Sequence, residues 1–291
     1  MSLSSFPRTL RNPIFNPCSR QIFACRIAVL LCLLFLCGRA GAQDAKAILQ
    51  KTQKAYQTLT SYAGRAAVTS QVIYKGRMLK EENFTVTFRC RRPNRLMLDM
   101  STPTGSRDVY NGVEHFTVYD VSQNVFSHFP AAPDLRRALS LLVTKADVFA
   151  FLDPLYFIGQ DRLPPELGSL QFKGAADWNG HPVYIVTGVT KIAEHILNNR
   201  IGQTLVVPAE TRRWTWWIDR QNFLIRQIES RADNIKVHAA TRKNGKIVQT
   251  TLLTTSFTRH IVAEAQINPA LNDSDFFFIK PEGSQERHNR K

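Results

Sequence analysis

Phe84-Thr-Val-Thr-Phe-Arg-Cys-Arg-Arg92 alternates strictly: Phe84, Val86, Phe88 and Cys90 point one way, while Asn83, Thr85, Thr87, Arg89 and Arg91 point the other. A period of two with one apolar and one polar side is the pattern of a half-buried antiparallel strand. The same period recurs on both sides of this stretch. Downstream, Leu96, Leu98 and Met100 share a face, followed by Phe116 and Val118, then by 125–129. The separators are turn chemistry: Pro93-Asn94, Pro103-Thr-Gly105 and Asn111-Gly112 each fall where a meander would reverse. After Pro164-Pro165 the period of two returns in 170–178, in 181–189 across Asn179-Gly180, in 212–219 and in 223–230. Lys243-Asn-Gly-Lys246 then marks a hairpin between 235–241 and 247–258. The pattern predicts about ten or eleven mostly consecutive strands, hence an antiparallel sheet with no internal repeat of fixed period.

Two stretches follow the helical period instead. After Asp44, a good N-cap, Ala45, Ile48, Leu49, Thr52, Ala55, Tyr56 and Leu59 recur on one face with lysines and glutamines between them. A second helical stretch, about 134–158, begins after Pro133 with Asp134 as its cap and carries Leu135, Ala138, Leu139, Leu142 and Val143 on one stripe. It runs into the almost wholly apolar 148–158, which includes Phe149, Phe151 and Leu152.

The first 42 residues read as a removable leader. Residues 1–26 carry Arg8, Arg11, Arg20 and Arg26 and no acid; 27–37 is an uninterrupted apolar run, and Ala40-Gly41-Ala42 follows. A basic region, a short apolar region and small residues at the cleavage point make a secretory signal peptide, expected to be cut after Ala42. The run falls short of the ~18 apolar residues that span a bilayer. A membrane-anchored lipoprotein form through Cys37 is disfavoured by the bulky Leu36 before it. The rest, 43–291, is expected to be a single exported domain. Removing the leader takes four of the five cysteines and leaves Cys90, so no internal disulfide can form and the fold must stand on its core.

With 44% hydrophobic residues the chain is globular rather than disordered. Its 38 Lys plus Arg exceed its 23 Asp plus Glu, a formal +15, which falls to +10 when the five leader arginines are removed. The basic residues are spread along the chain. In an exported protein they suit solubility or an anionic membrane surface, not nucleic acid. Motifs for catalysis are missing: the seven histidines are scattered without H-E-x-x-H, and there is no G-x-S-x-G elbow, phosphate loop or G-x-G-x-x-G. Asp273-Ser-Asp275 reads as a solvated turn or strand cap rather than a cation site. No metal, no cofactor and no catalytic residue is assigned.

Extending the phase of Phe84, Val86, Phe88 and Cys90 places Arg92 on the apolar side, where a guanidinium needs a carboxylate or several carbonyls. Alternatively the strand ends at Arg91 and Arg92 turns to solvent.

Arg92-Pro93-Asn94-Arg95-Leu96, Met100-Ser-Thr-Pro103, Tyr110-Asn-Gly112 and His115-Phe-Thr-Val-Tyr-Asp120 resemble the R-P-N-x-(apolar), M-x-x-P, (D/N)-G and W-x-Y-(D/N) series of the periplasmic lipoprotein carriers of the LolA/LolB superfamily. Phe276-Phe-Phe-Ile-Lys-Pro-Glu-Gly283 is similar to that family's closing F-x-F-x-x-P-x-G. The likeness is specific over about 84–130 and 275–283. The greater length, the stretch 190–211 and the three tryptophans of Arg212-Arg-Trp-Thr-Trp-Trp-Ile-Asp219 point to the uncharacterised predicted periplasmic branch.

The resemblance implies an unclosed β-barrel of about eleven strands with a leading helix and a mid-chain helical lid. Its apolar concavity would receive acyl chains of a lipoprotein or lipid and carry them between membranes of the cell envelope, without catalysis. The expected ligand-facing residues are Arg92, Phe84, Val86, Phe88, Leu96, Leu98, Met100, Phe116, Trp214 and Trp216, with Leu139, Leu142, Val143, Phe149, Phe151 and Leu152 in the lid. In the carrier family the arginine before the Pro-Asn pair bonds lid carbonyls, which implies that role for Arg92. Expected partners are an acyl lipid or lipoprotein, and transiently an anionic membrane surface or a membrane protein. The alternative on the same fold is an envelope stress sensor or assembly scaffold that binds a protein partner.

Overall fold

The computed structural model describes residues 44–102, 105–146, 153–160, 163, 167–192, 195–198, 204–207, 210–243 and 246–287. The leader, Cys37 and Ala42 lie outside the described residues. Helix α1 (44–57) leads into a meander of β1 (Ser61–Tyr74), β2 (Arg77–Arg91), β3 (Arg95–Thr102), β4 (Gly105–Asn111), β5 (His115–Asp120) and β6 (Val125–Pro130). Helices α2 (Leu135–Ala146) and α3 (Asp153–Gly159) follow, then β7 (Leu167–Trp178) and β8 (His181–Ile192). A separate two-stranded hairpin, β9 (His195–Asn198) and β10 (Thr204–Val207), falls in the stretch 190–211. The chain then rejoins the main sheet as β11 (Glu210–Asp219), β12 (Ile225–Lys243) and β13 (Lys246–Ile267) and ends with a 3-10 turn (Asp273–Phe276) and β14 (Gln285–Glu286).

The main sheet has twelve strands in the order β14-β6-β5-β4-β3-β2-β1-β13-β12-β11-β8-β7. The first meander and the last three long strands meet where β1 pairs antiparallel with β13. With β7 at one end and β14–β6 at the other, the sheet stays unclosed, an open half-barrel. All its pairings are antiparallel except β14–β6, which is parallel because the C-terminal tail doubles back beside β6. The stretches 223–230 and 235–241, read as separate strands, belong to the single strand β12, which bends through a register shift between Ala232 and Ile235.

Alternation along β2 is realised: Phe84, Val86, Phe88 and Cys90 are buried while the residues between them are half-buried. Val86 lies opposite Ala66 of β1 and Met100 of β3, so the apolar face is continuous across three strands. At the β7–β8 turn Asn179 and Gly180 both take positive φ, as a tight hairpin turn requires. In α1, Ala45, Leu49, Thr52 and Tyr56 are fully buried and Lys46 and Lys51 are exposed, so the helix lays one face on the sheet. Asp134 caps α2, its Oδ1 accepting the Arg137 N–H at 2.7 Å.

One cluster joins the concave face of the sheet to all three helices: Ile48, Leu49 and Tyr56 of α1; Leu135, Leu139 and Leu142 of α2; and Leu155, Phe157 and Ile158 of α3. The convex face has its own cover. The C-terminal strap lays Phe278 on Tyr110, Tyr119 and Phe126, with ring centroids 5.2–5.7 Å apart. Phe276 beside it is fully buried.

Candidate functional site

Arg92 follows the last residue of β2, so the strand ends at Arg91, the second of the two alternatives, and the residue as a whole is exposed. Its guanidinium nevertheless turns back to the helices. Nε donates to the Leu59 carbonyl at 3.0 Å, and one terminal nitrogen donates to the Ile158 carbonyl at 3.0 Å and, more distantly, to the Tyr56 carbonyl at 3.5 Å. These carbonyls lie at the C-terminal ends of α1 and α3. The last turn of a helix leaves carbonyls without intrahelical partners and carries partial negative charge, so a cation is favoured there. A planar fork also reaches two chain segments at once, which an ammonium does poorly.

The two residues after Arg92 hold the third helix. The Pro93 carbonyl accepts the Leu135 N–H, the first of α2, at 2.9 Å. Asn94 Nδ2 donates to the Ala132 carbonyl at 2.9 Å, in the linker just before that helix. Asn111, fully buried at the end of β4, accepts the Ala132 N–H at 2.8 Å. One tight turn, Arg92-Pro93-Asn94, therefore contacts α1, α2 and α3.

Beneath the helices, Phe84, Val86, Phe88, Leu96, Leu98, Met100, Phe116 and Trp216 of the sheet and Leu139 and Leu142 of α2 are all buried in one cluster, with the half-buried Trp214 packed against it. The structure thus brings these expected residues together. Val143 lies within α2, but its side chain is outside the described set, and Phe149, Phe151 and Leu152 lie outside the described residues. The rings of Trp214 and Trp216 are parallel, 6.0 Å apart, and Trp214 Nε1 donates to Thr190 Oγ1 at 2.9 Å.

Sequence reading missed how far aromatic hydroxyls enter this core. Tyr56 stacks on Phe157 at 5.9 Å and meets Tyr62 edge-on at 5.6 Å, and Tyr62 packs on Phe88 at 5.2 Å. Tyr56 Oη accepts the Ile225 N–H at 3.2 Å, tying α1 to β12. Burial pushes the Tyr56 phenol up to about 12 and raises Tyr62 likewise, so both stay neutral. The apolar stripe of α1 was the available signal for Tyr56. Cys90 is also buried; burial pushes its thiol up to about 12, and it donates to the Tyr62 carbonyl, so it is a packing group rather than a nucleophile.

The convex face is chemically different. An open depression of about 680 Å3 is lined mainly by Arg65, Thr69, Asn83, Thr85, Thr87 and Asp99. Asp273 and Asp275 sit in a short 3-10 turn, Asp273 exposed and Asp275 half-buried, and both also pair with the sheet: Asp273 with Arg91 and Arg95, and Asp275 with Arg89 at 3.4 Å. Bonds from Arg95 and Arg91 hold the Asp273 carboxyl below its usual range. The acids thus pin the strap to the polar side of β2 and β3. Among the described residues, no group of three or more His, Cys, Asp or Glu is placed to hold a metal ion, and no helix is long and apolar enough to cross a membrane.

Fold and site together define an open half-barrel whose apolar concave face is covered by helices. The chain belongs to the family of predicted periplasmic proteins DUF2092, whose model matches residues 45–286. No curated protein matches it. Solved structures with a similar chain course include the lipoprotein LppX of Mycobacterium tuberculosis, at 11% identity and TM-score 0.36 over 79% of this chain and 98% of that one. LprF of Mycobacterium bovis is similar at 11% identity and TM-score 0.39, covering 80% of this chain and 96% of that one. A LolA superfamily protein of Nitrosomonas europaea is similar at 11% identity and TM-score 0.30, covering 80% and 97%.

Proposed function

We propose that the protein is a non-enzymatic periplasmic carrier that holds acyl chains of a lipid or lipoprotein between its concave face and its helical cover, and moves them between membranes. The observation that supports this reading most is the turn Arg92-Pro93-Asn94, which bonds all three helices at their ends or linkers and leaves their apolar faces to pack on the sheet. Polar bonds at the rim and apolar contacts beneath form a cover that can lift as a unit, exposing Phe84, Phe88, Leu98, Met100 and Phe116 to a chain of CH2 groups. Each buried CH2 stabilises a bound chain by about 0.8 kcal/mol, enough for capture that a modest change in the cover can reverse. A ligand shifts this equilibrium only if it binds the open form better, and an acyl chain does so by replacing the helices' own apolar contacts.

The test is mass spectrometry of an organic extract of the protein purified from a periplasmic fraction without detergent, beside an unrelated exported protein prepared the same way. Stoichiometric acyl lipid supports the carrier. A stably folded protein that is empty, and that fails to take up a fluorescent fatty acid, refutes it.

A further inference from the structure

The last partner of β11 on β12 is Ala232, opposite Arg212, and the last partner of β1 on β13 is Thr255, opposite Ile73. Beyond these, among the described residues, β12 and β13 continue paired only with each other, from Ile235–Thr254 out to Lys243–Lys246. Residues 246–254 of β13 extend this two-stranded ribbon by about 30 Å at the rise of a strand. A lone two-stranded ribbon is marginal in water, so it needs a surface to rest on.

The register says what surface. Residues opposite one another in an antiparallel ladder share a face. Ile235/Thr254, Val237/Leu252, Ala239/Thr250 and Thr241/Val248 continue the series Ile228/His260 and Ser230/Thr258, all four of which are buried on the concave side. This face of the ribbon carries no charge until the Lys243/Lys246 pair at the tip. The other face adds Lys236, His238 and Arg242, with exposed Leu253. No Asp or Glu occurs anywhere in 234–263. Beside the root of the ribbon, the β1–β2 turn places Lys75 and Arg77 next to exposed Met78 and Leu79. The acids nearest this end, Glu81, Glu82 and Asp233, lie at or below the root, where Glu82 pairs with Lys80 and Asp233 with Arg213 and Arg231. The ribbon itself carries cations without acids, backed by an apolar face, which complements the anionic headgroups and acyl boundary of a bilayer.

We propose that the β12–β13 ribbon is a docking finger for an anionic membrane surface, its basic tip among the headgroups and its apolar face leading to the concave face of the sheet. The purpose of such a finger rests on the carrier reading; its existence is tested separately. Each Lys or Arg brought to an anionic leaflet strengthens binding about fivefold. The experiment is flotation of the exported protein with vesicles of phosphatidylcholine alone and of equimolar phosphatidylcholine and phosphatidylglycerol, alongside uptake of a soluble fluorescent fatty acid. Wild-type protein is expected to float with the anionic vesicles only, and to lose that binding as salt screens it. The triple variant Arg242→Gln, Lys243→Gln, Lys246→Gln is expected to bind them about a hundredfold more weakly with unchanged melting temperature and fatty-acid uptake. Should the triple variant fold poorly, Arg242→Gln alone, one residue short of the tip pair, must still lose about fivefold. Equal binding to neutral vesicles, or variants that float like wild type, overturn the finger. Anionic-vesicle binding that depends on these cations, in a protein that takes up no fatty acid, keeps the finger and refutes the carrier.

Discussion

Arg92→Leu removes the fork that joins the ends of α1 and α3 while leaving the apolar packing beneath untouched. Two of its bonds, to the Leu59 and Ile158 carbonyls, are 3.0 Å long; the third, to Tyr56, is 3.5 Å and contributes little. A hydrogen bond from a charged group contributes roughly 1.5–3 kcal/mol when shielded, and less where water competes, as it does around this exposed residue. Two bonds at the low end, discounted for exposure, come to about 2 kcal/mol, or about thirtyfold in the population of the lifted cover. Hydrogen exchange read by mass spectrometry should therefore show protection falling about thirtyfold in 54–60 and 153–160, with β2 and β3 unchanged. Where lifting limits exchange of a bound fluorescent fatty acid, its release should quicken by a similar factor. Arg92→Lys, able to reach one carbonyl at a time, should fall between, at about fivefold. Unchanged protection in both helices would refute the reasoning, as would a loss spread evenly over the sheet.

Three further outcomes follow from other contacts. Asp108 faces Asp99 across β3–β4, and burial first, then that neighbour, raises its pKa from 3.8 to about 6. The folded protein thus binds more protons than the unfolded chain between about pH 4 and pH 6, so stability falls as pH rises through that window. Asp108→Asn should gain about 1 kcal/mol at neutral pH, after allowance for its half exposure, and nothing below about pH 3.5; equal gains at both would contradict this. Asn111→Ala strands the buried Ala132 N–H and should cost about 2 kcal/mol by urea unfolding, with no loss counting against the bond. Gly64→Ala would put a Cβ 2.6 Å from Phe88 Cζ and nearer still to the Glu264 carbonyl, so its urea midpoint should drop by the equivalent of about 3 kcal/mol, and a neutral result would mean that β13 yields at this point.

Much of the site is legible in the sequence because its apolar members sit in regular periods. Phe84, Val86 and Phe88, or Leu96, Leu98 and Met100, announce their common face through alternation alone, and α1 and α2 through their stripes and the Asp134 cap. Arg92 is not legible in the same way. Strand phase leaves its direction open, since the strand ends one residue earlier. The guanidinium turns inward because two helix ends lie beside it, the kind of contact the family resemblance implied and alternation could not show. Asp273 and Asp275 look like an ordinary acidic turn until the strap lays them against Arg89, Arg91 and Arg95. The continuity of β12 through Ala232 and Ile235 is hidden because a register shift breaks the alternation there.

Local period and turn chemistry, which act between residues a few positions apart, determined from sequence alone that this chain makes consecutive antiparallel strands, a leading helix and a helical insertion. Contacts between distant segments decided the rest. The pairing of β1 with β13 joins the sheet's two halves into one half-barrel, and the Arg92-Pro93-Asn94 turn gathers three helices over it. The β12–β13 ribbon projects because its neighbours β11 and β1 stop earlier. None of these is written in a local period, because each depends on which strand or helix end arrives beside another once the chain has folded.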